Sequence, residues 1–272
     1  MKEQTKQEIS HLLDGAPGIW KALIPVSGEK DIQTVDEPYR CEKCHDSGWI
    51  RFTKDGYDFV QECDCVKADR ARKRIEKSGL KNLLDSYTFD TFAAEEPWQE
   101  RVLEKARKYV DTLLAGDQKP EPWFFIGGNA GAGKTHICTA ICGELLNAGT
   151  RVVYMQWVTD SRTIKAAITE QSEYDDLIAP FVNCDVLYID DLFKTRGSTL
   201  PTPTESDVRL AYQIINARYA SGKPTIISCE WYLREELVDI DEATFSRVVQ
   251  RCRKCFNVSL KRDKSRNWRL TH

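Results

Sequence analysis

The chain has 272 residues, a length that suits one medium domain with an appendage or two small domains. Lys and Arg total 39 against 42 Asp and Glu, so the net charge of −3 excludes a polycation that coats nucleic acid by charge alone. Hydrophobic residues make up 41%, which excludes global disorder. The longest run without a charged residue, 122–133, is far shorter than the roughly 20 residues of a membrane span. No secretory signal opens the sequence. We therefore expect a soluble, cytoplasmic protein with no membrane partner.

Charge is distributed unevenly along the chain. Residues 67–81 carry a net charge of +5 and residues 247–269 carry +8, which leaves −16 for the remainder. Two basic segments on an acidic body indicate contacts with phosphate or with an acidic partner. For the first segment, a solvated helix face explains the charge equally well.

Composition and periodicity divide the chain into three regions. Residues 1–36 are predicted to be a helical or mobile leader, and residues 37–82 a small cysteine-containing module with a basic linker helix that stops near Gly79. Residues 83–272 are predicted to form one α/β domain, with a helix over 98–116. Its apolar strands alternate with helices, which predicts a parallel sheet flanked by helices. The strands are expected at 122–128, 151–157, 185–190, 224–228 and 256–260, and the helices at 134–149, 159–183, 204–221 and 231–254.

A glycine-rich turn between the first of these strands and its helix matches the phosphate-loop pattern G-x-x-x-x-G-K-[ST] in full. Glycines let backbone N–H groups face a phosphate, and the helix N-terminus adds its positive end. Lys134 is expected to contact the phosphates, and the Thr135 hydroxyl to coordinate Mg²⁺. The predicted nucleotide-binding residues here are Gly128, Asn129, Ala130, Gly131, Ala132, Gly133, Lys134, Thr135 and His136.

Two carboxylates, Asp190 and Asp191, end the apolar strand 185–190. The carboxyl end of a central parallel strand opens on the ligand crevice. We expect Asp190 to hold Mg²⁺ and Asp191 to polarise the attacking water. Together with the phosphate loop, this pattern predicts hydrolysis of ATP or GTP, and the motifs do not distinguish the two bases.

Four cysteines precede the α/β domain in two close pairs, Cys41-x-x-Cys44 and Cys63-x-Cys65. Four thiolates form a tetrahedral set for Zn²⁺, and His45 is a possible substitute ligand. The segment between the pairs predicts a hairpin around the Lys54–Gly56 turn. So small a module needs its metal to fold, which makes the zinc structural. The alternative interpretation is that these four cysteines bind no metal. A further C-x-x-C motif, Cys252-x-x-Cys255, is interpreted as buried thiols.

The motifs FIGGNAGAGKTH, VLYIDDLF, KPTIISCEWYLREEL and DEATFSRVVQRC make residues 85–270 similar to the AAA+ ATPases of the bacterial replicative helicase loader type (DnaC/DnaI-like), which include IstB. Phage and Gram-positive proteins of this type often carry a cysteine motif ahead of the ATPase domain. The resemblance implies a protein that binds ATP and Mg²⁺, contacts the replicative DNA helicase through its N-terminal part and places it on single-stranded DNA. In this sequence 21 residues follow Arg251, so we expect the domain to have no full C-terminal lid.

The resemblance also implies roles for residues late in the chain. Residues 228–230 match the segment that senses the γ-phosphate, and Arg266 matches a late arginine that contacts nucleotide. Arg247 or Arg251 matches the arginine finger that reaches a neighbour's ATP, which requires a homo-oligomeric ring or spiral. The sequence does not choose between the two arginines, and a surface basic helix is the alternative. Asp191, where Glu is commoner, suggests slow or partner-stimulated turnover.

A DNA contact is expected near the end of the second core strand, where aromatic and basic side chains could stack on and screen single-stranded bases. The residues concerned are Tyr154, Met155, Trp157, Arg162 and Lys165. An equally good interpretation places Tyr154 and Trp157 in the core, with solvated charges around them.

Two other functions fit the same motifs. One is a transposition helper ATPase that delivers a transposase to DNA. The other is a nucleotide-gated adaptor that binds DNA or protein and hydrolyses little ATP.

Overall fold

A computed structural model describes residues 19–20, 39–54, 57–117, 119–194 and 202–271. The chain divides into two compact units, residues 1–72 and residues 73–272. Within the described ranges, every helix is too short or too polar to cross a bilayer.

The first unit is built on an antiparallel sheet of three short strands in the order β1-β3-β2. They are β1 (Ile19–Trp20), β2 (Trp49–Lys54) and β3 (Tyr57–Glu62), and α1 (Asp64–Ser78) follows them. Phe52 and Phe59 face each other across β2 and β3 with their rings stacked at 5.6 Å. The predicted hairpin is therefore present. Apart from β1, the predicted leader lies outside the described residues.

The second unit contains a parallel sheet of five strands in the order β5-β6-β7-β4-β8, which confirms the predicted α/β class. Its strands are β4 (Phe124–Gly128), β5 (Val152–Gln156), β6 (Val186–Leu192), β7 (Thr225–Cys229) and β8 (Asn257–Leu260). Its helices are α2 (Lys81–Leu84), α3 (Pro97–Ala115), α4 (Lys134–Asn147), α5 (Trp157–Ala166), α6 (Gln171–Asn183), α7 (Glu205–Ala220), α8 (Val238–Ile240), α9 (Glu242–Cys252) and α10 (Trp268–Thr271).

Two apolar clusters cover the two faces of this sheet. Along β4, Phe124 and Ile126 pack with α3 and α4 on one face, whereas Phe125 packs with α7 and α9 on the other. Because both faces are covered, the strands are almost continuously apolar. Strand β7 lies between β4 and β6, so the phosphate loop after β4 and the aspartates of β6 flank the carboxyl end of β7.

Two of the predicted helices are wrong in their extent. The helix expected over 159–183 is two helices, α5 and α6, separated at residues 167–170. The helix expected over 231–254 is broken into a π-helical turn (Leu233–Leu237), α8 and α9. The second break occurs because Asp241 has an extended backbone and caps α9, its carboxylate accepting from the N–H of Thr244.

Candidate nucleotide and metal sites

The phosphate loop has a backbone that only glycine adopts without strain. Gly128, Gly131 and Gly133 have φ angles of 109°, 71° and 80°. A Cβ on Gly128 would lie 2.1 Å from the Leu260 carbonyl oxygen, and one on Gly131 would lie 1.9 Å from Asn267 Oδ1. Both side-chain positions are therefore occupied, one by the last residue of β8 and the other by the segment that follows it, and both pack directly against the loop.

Lys134 is buried at the start of α4 and lies across the loop. Its Nζ donates to the carbonyl oxygens of Gly128 at 3.0 Å and Asn129 at 2.8 Å. Burial lowers the pKa of Lys134, while the negative charges of Glu230 and Asp191 oppose that shift. A phosphate entering the loop would replace the two contacts to neutral carbonyls with one to an anion, in which both partners are charged.

Asp190 contacts side chains from the phosphate loop and from strands β5, β6 and β7. Its carboxylate accepts hydrogen bonds from Thr135 Oγ1 at 3.2 Å, Tyr154 Oη at 3.0 Å and Tyr188 Oη at 2.6 Å, and a fourth from Ser228 Oγ. Burial and then the Asp190 charge raise the pKa of Tyr154, so its phenol stays protonated and donates. Four hydroxyls thus fix the orientation of this buried carboxylate beside Thr135, as a shared Mg²⁺ site requires.

The next carboxylate, Asp191, is held by an ion pair. Its Oδ2 lies 3.0 Å from Lys194 Nζ, and the same ammonium lies 3.2 Å from Glu230 Oε1 at the end of β7. The Asp191 N–H donates to Ser228 Oγ at 2.9 Å. Residues 228–230, predicted to sense phosphate, therefore contact both aspartates.

Asp190 and Ser228 are buried, whereas the charged side chains around them line a cleft of about 810 Å³, a size that suits a nucleotide. Residues 130–136, Asp191, Glu230 and Arg266 line it, and Arg266 lies 4.9 Å over the ring of Trp98. The sequence did not predict a further part of the lining, an aromatic wall formed by Tyr87, Phe92 and Trp98.

His136 faces that wall rather than the phosphate loop. Its Nε2 lies 2.8 Å from the Thr88 carbonyl oxygen, and its ring stacks on Tyr87 at 4.8 Å. Burial lowers the pKa of His136, which favours the neutral ring. The contacts indicate that His136 positions residues 87–92 along the cleft.

Both candidate finger arginines lie on α9, away from the residues that line this cleft. The Arg251 side chain is buried, donates to the Gly222 carbonyl oxygen at 2.6 Å and lies 5.5 Å over the Trp123 ring. Arg247 is partly exposed and lies 5.7 Å over the Tyr219 ring. Of the two guanidinium groups, Arg247 is the more accessible.

The four N-terminal cysteines converge. Their Sγ atoms all lie within 4.8 Å of one another, with Cys41–Cys63 at 3.7 Å and Cys44–Cys65 at 3.4 Å. A tetrahedral Zn²⁺ with bonds of about 2.3 Å places its sulfurs about 3.8 Å apart, so the thiol set fits zinc. The backbone N–H of Cys44, and then that of Lys43, lower the pKa of Cys41 to about 7.

The other candidate ligands lie outside this thiol cluster. The ring of His45, the possible substitute ligand, stacks on Tyr39 at 4.6 Å, and of the residues that the structure describes only the four cysteines belong to the cluster. In the separate Cys252-x-x-Cys255 motif, which was interpreted as buried thiols, Cys252 is buried and Cys255 is partly buried.

The predicted DNA-binding aromatics belong to the core. Met155 and Trp157 are buried, and Tyr154 is bonded to Asp190. Lys165 forms a hydrogen-bonded ion pair with Asp207, whereas Arg162 is exposed. Stacking of bases on Met155 and Trp157 is therefore wrong as a prediction, and the alternative core interpretation holds for these side chains.

Three sequence similarities to known proteins bear on the family of this chain. The family model of the bacterial DnaA ATPase domain matches residues 83–251. The chain is 26% identical over 251 residues to the phage-like element PBSX protein XkdC of Bacillus subtilis, covering 91% of each. It is also 26% identical over 160 residues to the replicative helicase loader DnaC of Escherichia coli, which covers 58% of this chain and 61% of that protein.

A solved structure shares the fold. AMPPCP-bound DnaA from Aquifex aeolicus matches with a TM-score of 0.50 and 19% identity, over 64% of this chain and 49% of that one. The chain thus spans nearly all of XkdC but only about half to three fifths of the DnaA and DnaC chains. These similarities confirm the resemblance drawn from the motifs, and since the family model covers more than half of its length, the chain belongs to the bacterial DnaA ATPase-domain family.

Proposed function

We propose that this protein is an ATP-dependent helicase loader, which binds a replicative DNA helicase and places it on single-stranded DNA. The observation that carries the nucleotide part is the 3.2 Å contact between Thr135 of the phosphate loop and Asp190 of β6. The helicase part is supported by similarity to a named helicase loader, DnaC. Contact with single-stranded DNA would then use exposed basic residues such as Arg162.

Each residue of the site has its own role in the proposed hydrolysis. Thr135 and Asp190 would hold Mg²⁺, which neutralises charge on the phosphates when it is bound. Lys134 and the loop N–H groups bind and orient the phosphates, and Asp191 orients and polarises the attacking water. The Lys194 ion pair on Asp191 favours slow turnover until a partner or the nucleotide itself displaces it.

The arginine finger is Arg247 in this proposal, because Arg251 is buried within its own subunit whereas Arg247 is partly exposed. Arg247→Ala is expected to bind ATP normally but to lose partner-stimulated hydrolysis about 1,000-fold or more, since a finger contributes that much to turnover. Arg251→Ala should instead lower the melting temperature, because it removes a buried guanidinium from between Trp123 and Tyr219. Phosphate release and thermal melts of the two variants separate the roles. Equal loss of hydrolysis in both variants at normal stability would contradict the assignment.

The proposal is tested by loading itself. The purified chain is mixed with the cognate hexameric helicase, single-stranded DNA and Mg-ATP, and helicase retained on DNA is measured together with phosphate release. Lys134→Ala is expected to abolish both signals. Lys223→Ala, which changes a lysine bonded to the Asn183 carbonyl oxygen at the other end of the sheet, should leave both unchanged.

Three results would contradict parts of this proposal. Recovery of a transposase rather than a helicase in co-purification would favour the transposition helper. ATP-dependent loading with no phosphate release above the Lys134→Ala background would favour a nucleotide-gated adaptor. Indifference of the wild-type chain to Mg-ATP would overturn the proposal as a whole.

A further inference from the structure

A second lysine lines the nucleotide cleft beside the phosphate loop. Lys194 follows β6, and its Nζ bridges Asp191 Oδ2 at 3.0 Å and Glu230 Oε1 at 3.2 Å. Asp191 belongs to β6, and Glu230 immediately follows the neighbouring strand β7. The lysine thus lies over the end of the sheet where a nucleotide's phosphates are expected.

The turn that places Lys194 there has an unusual backbone. Asp191 and Phe193 have φ angles of 55° and 64°, a left-handed region that non-glycine residues rarely occupy. The Lys194 N–H closes the turn by donating to the Asp191 carbonyl oxygen at 2.9 Å. Strain of this kind persists only where surrounding contacts enforce it, and it concentrates at functional sites.

Those contacts are present around Phe193. Its fully buried ring packs edge-on against Trp157 at 5.4 Å and Phe245 at 5.8 Å. The sulfur of Cys229 donates to the Leu192 carbonyl oxygen at 3.1 Å. The fold therefore forces the chain to turn back toward the cleft at Lys194.

Beside the phosphate loop, two lysines of the cleft lie opposite two carboxylates. Lys134 and Lys194 face Asp191 and Glu230. The negative charges of Glu230 and Asp191 raise the pKa of Lys134, and the positive charge of Lys194 lowers it. Burial lowers the pKa of Lys194, but its contacts with Asp191 and Glu230 outweigh that effect, so its pKa is raised overall. A triphosphate brings a competing and more concentrated negative charge to this position.

We infer that Lys194 is a second phosphate-binding cation, which leaves Asp191 and Glu230 to contact the terminal phosphate of a bound nucleoside triphosphate. When Lys194 leaves the Asp191 carboxylate for the phosphate, that carboxylate is free to face the attacking water. It also makes the site respond to the terminal phosphate, since a diphosphate leaves the ion pairs intact. The inference rests on the proposed nucleotide-binding function and assigns part of its triphosphate specificity to Lys194.

The test compares a triphosphate analogue with a diphosphate. Dissociation constants of AMPPCP and ADP are measured by calorimetry with Mg²⁺ for the wild type, Lys194→Met, Lys194→Arg and Lys223→Met. Lys194→Met is expected to weaken AMPPCP roughly tenfold or more and ADP by less than about twofold, because a charge-assisted contact to the terminal phosphate is lost. Lys194→Arg should restore most of the affinity by keeping the charge, and Lys223→Met should match the wild type.

Equal weakening of AMPPCP and ADP by Lys194→Met, or no change in either, would overturn the inference while leaving the proposed function intact. A wild type that binds neither nucleotide would overturn the proposed function itself. The two failures are therefore distinguishable within one set of measurements.

A double-mutant cycle keeps the inference testable even if Lys194→Met is destabilised. Glu230→Gln removes one competitor for Lys194 and is expected to strengthen AMPPCP binding. That gain should largely disappear in the Lys194→Met/Glu230→Gln double variant, because the two residues act through one contact. An undiminished gain would show that Glu230 merely repels phosphate, and would count against Lys194 as a ligand.

Discussion

Asp190→Asn is expected to reduce magnesium-dependent nucleotide hydrolysis by about 100-fold or more, because metal-ion catalysis supplies several kcal/mol of transition-state stabilisation. Asparagine has the same shape and can still engage the hydroxyls of Thr135, Tyr154, Tyr188 and Ser228 by rotating them. The fold should therefore survive while the charge that holds the metal is lost. Phosphate release measured against Mg²⁺ concentration checks the prediction.

Asp185→Asn is the matched control for this variant. Asp185 immediately precedes β6, opposite the end that carries Asp190, and its side chain is exposed beside Arg151. The control should hydrolyse ATP at the wild-type rate with the wild-type Mg²⁺ dependence. If Asp190→Asn shows the same behaviour, Asp190 is not the metal ligand and the site must be assigned differently.

The sequence predicted the sheet well because its strands carry strong local signals. Long apolar runs such as 185–190, followed by carboxylates or a glycine turn, occur where strands are buried on both faces. The helices were harder, since no glycine or proline marks the break at residues 167–170. The break before α9 did carry a signal, because Asp241 is a favoured N-cap residue and the acidic Glu242 follows it in the first turn of the helix.

The site was predictable where all of its residues are contiguous in the sequence, as in the phosphate loop. It was not predictable where residues distant in sequence meet. Tyr188 was a visible candidate, since it lies two residues before Asp190 and so faces the same side of β6. The contact of Lys194 with Glu230 depends on a strained turn and on the pairing of β6 with β7, which no local pattern reports.

Removal of zinc is expected to unfold the cysteine module while leaving nucleotide binding intact. Among the residues of the first unit whose side chains are described, the buried apolar positions are Cys44 and Cys63 alone, so the module has almost no core without its metal. Cys63→Ser should reduce the zinc content from about one ion per chain to near zero, since Cys63 is one of the four converging thiols. Metal analysis and limited proteolysis of the full-length chain measure the two effects.

Cys255→Ser provides the control, because Cys255 belongs to the other C-x-x-C pair and is only partly buried. This variant should keep its zinc and its protease resistance, and both variants should bind ADP as the wild type does. The comparison isolates the metal, because both substitutions remove one sulfur yet only one of them touches the thiol cluster. A wild-type chain without zinc, whose residues 39–65 nevertheless resist protease, would show that the four cysteines pack as unligated thiols and that the metal has no part in the fold.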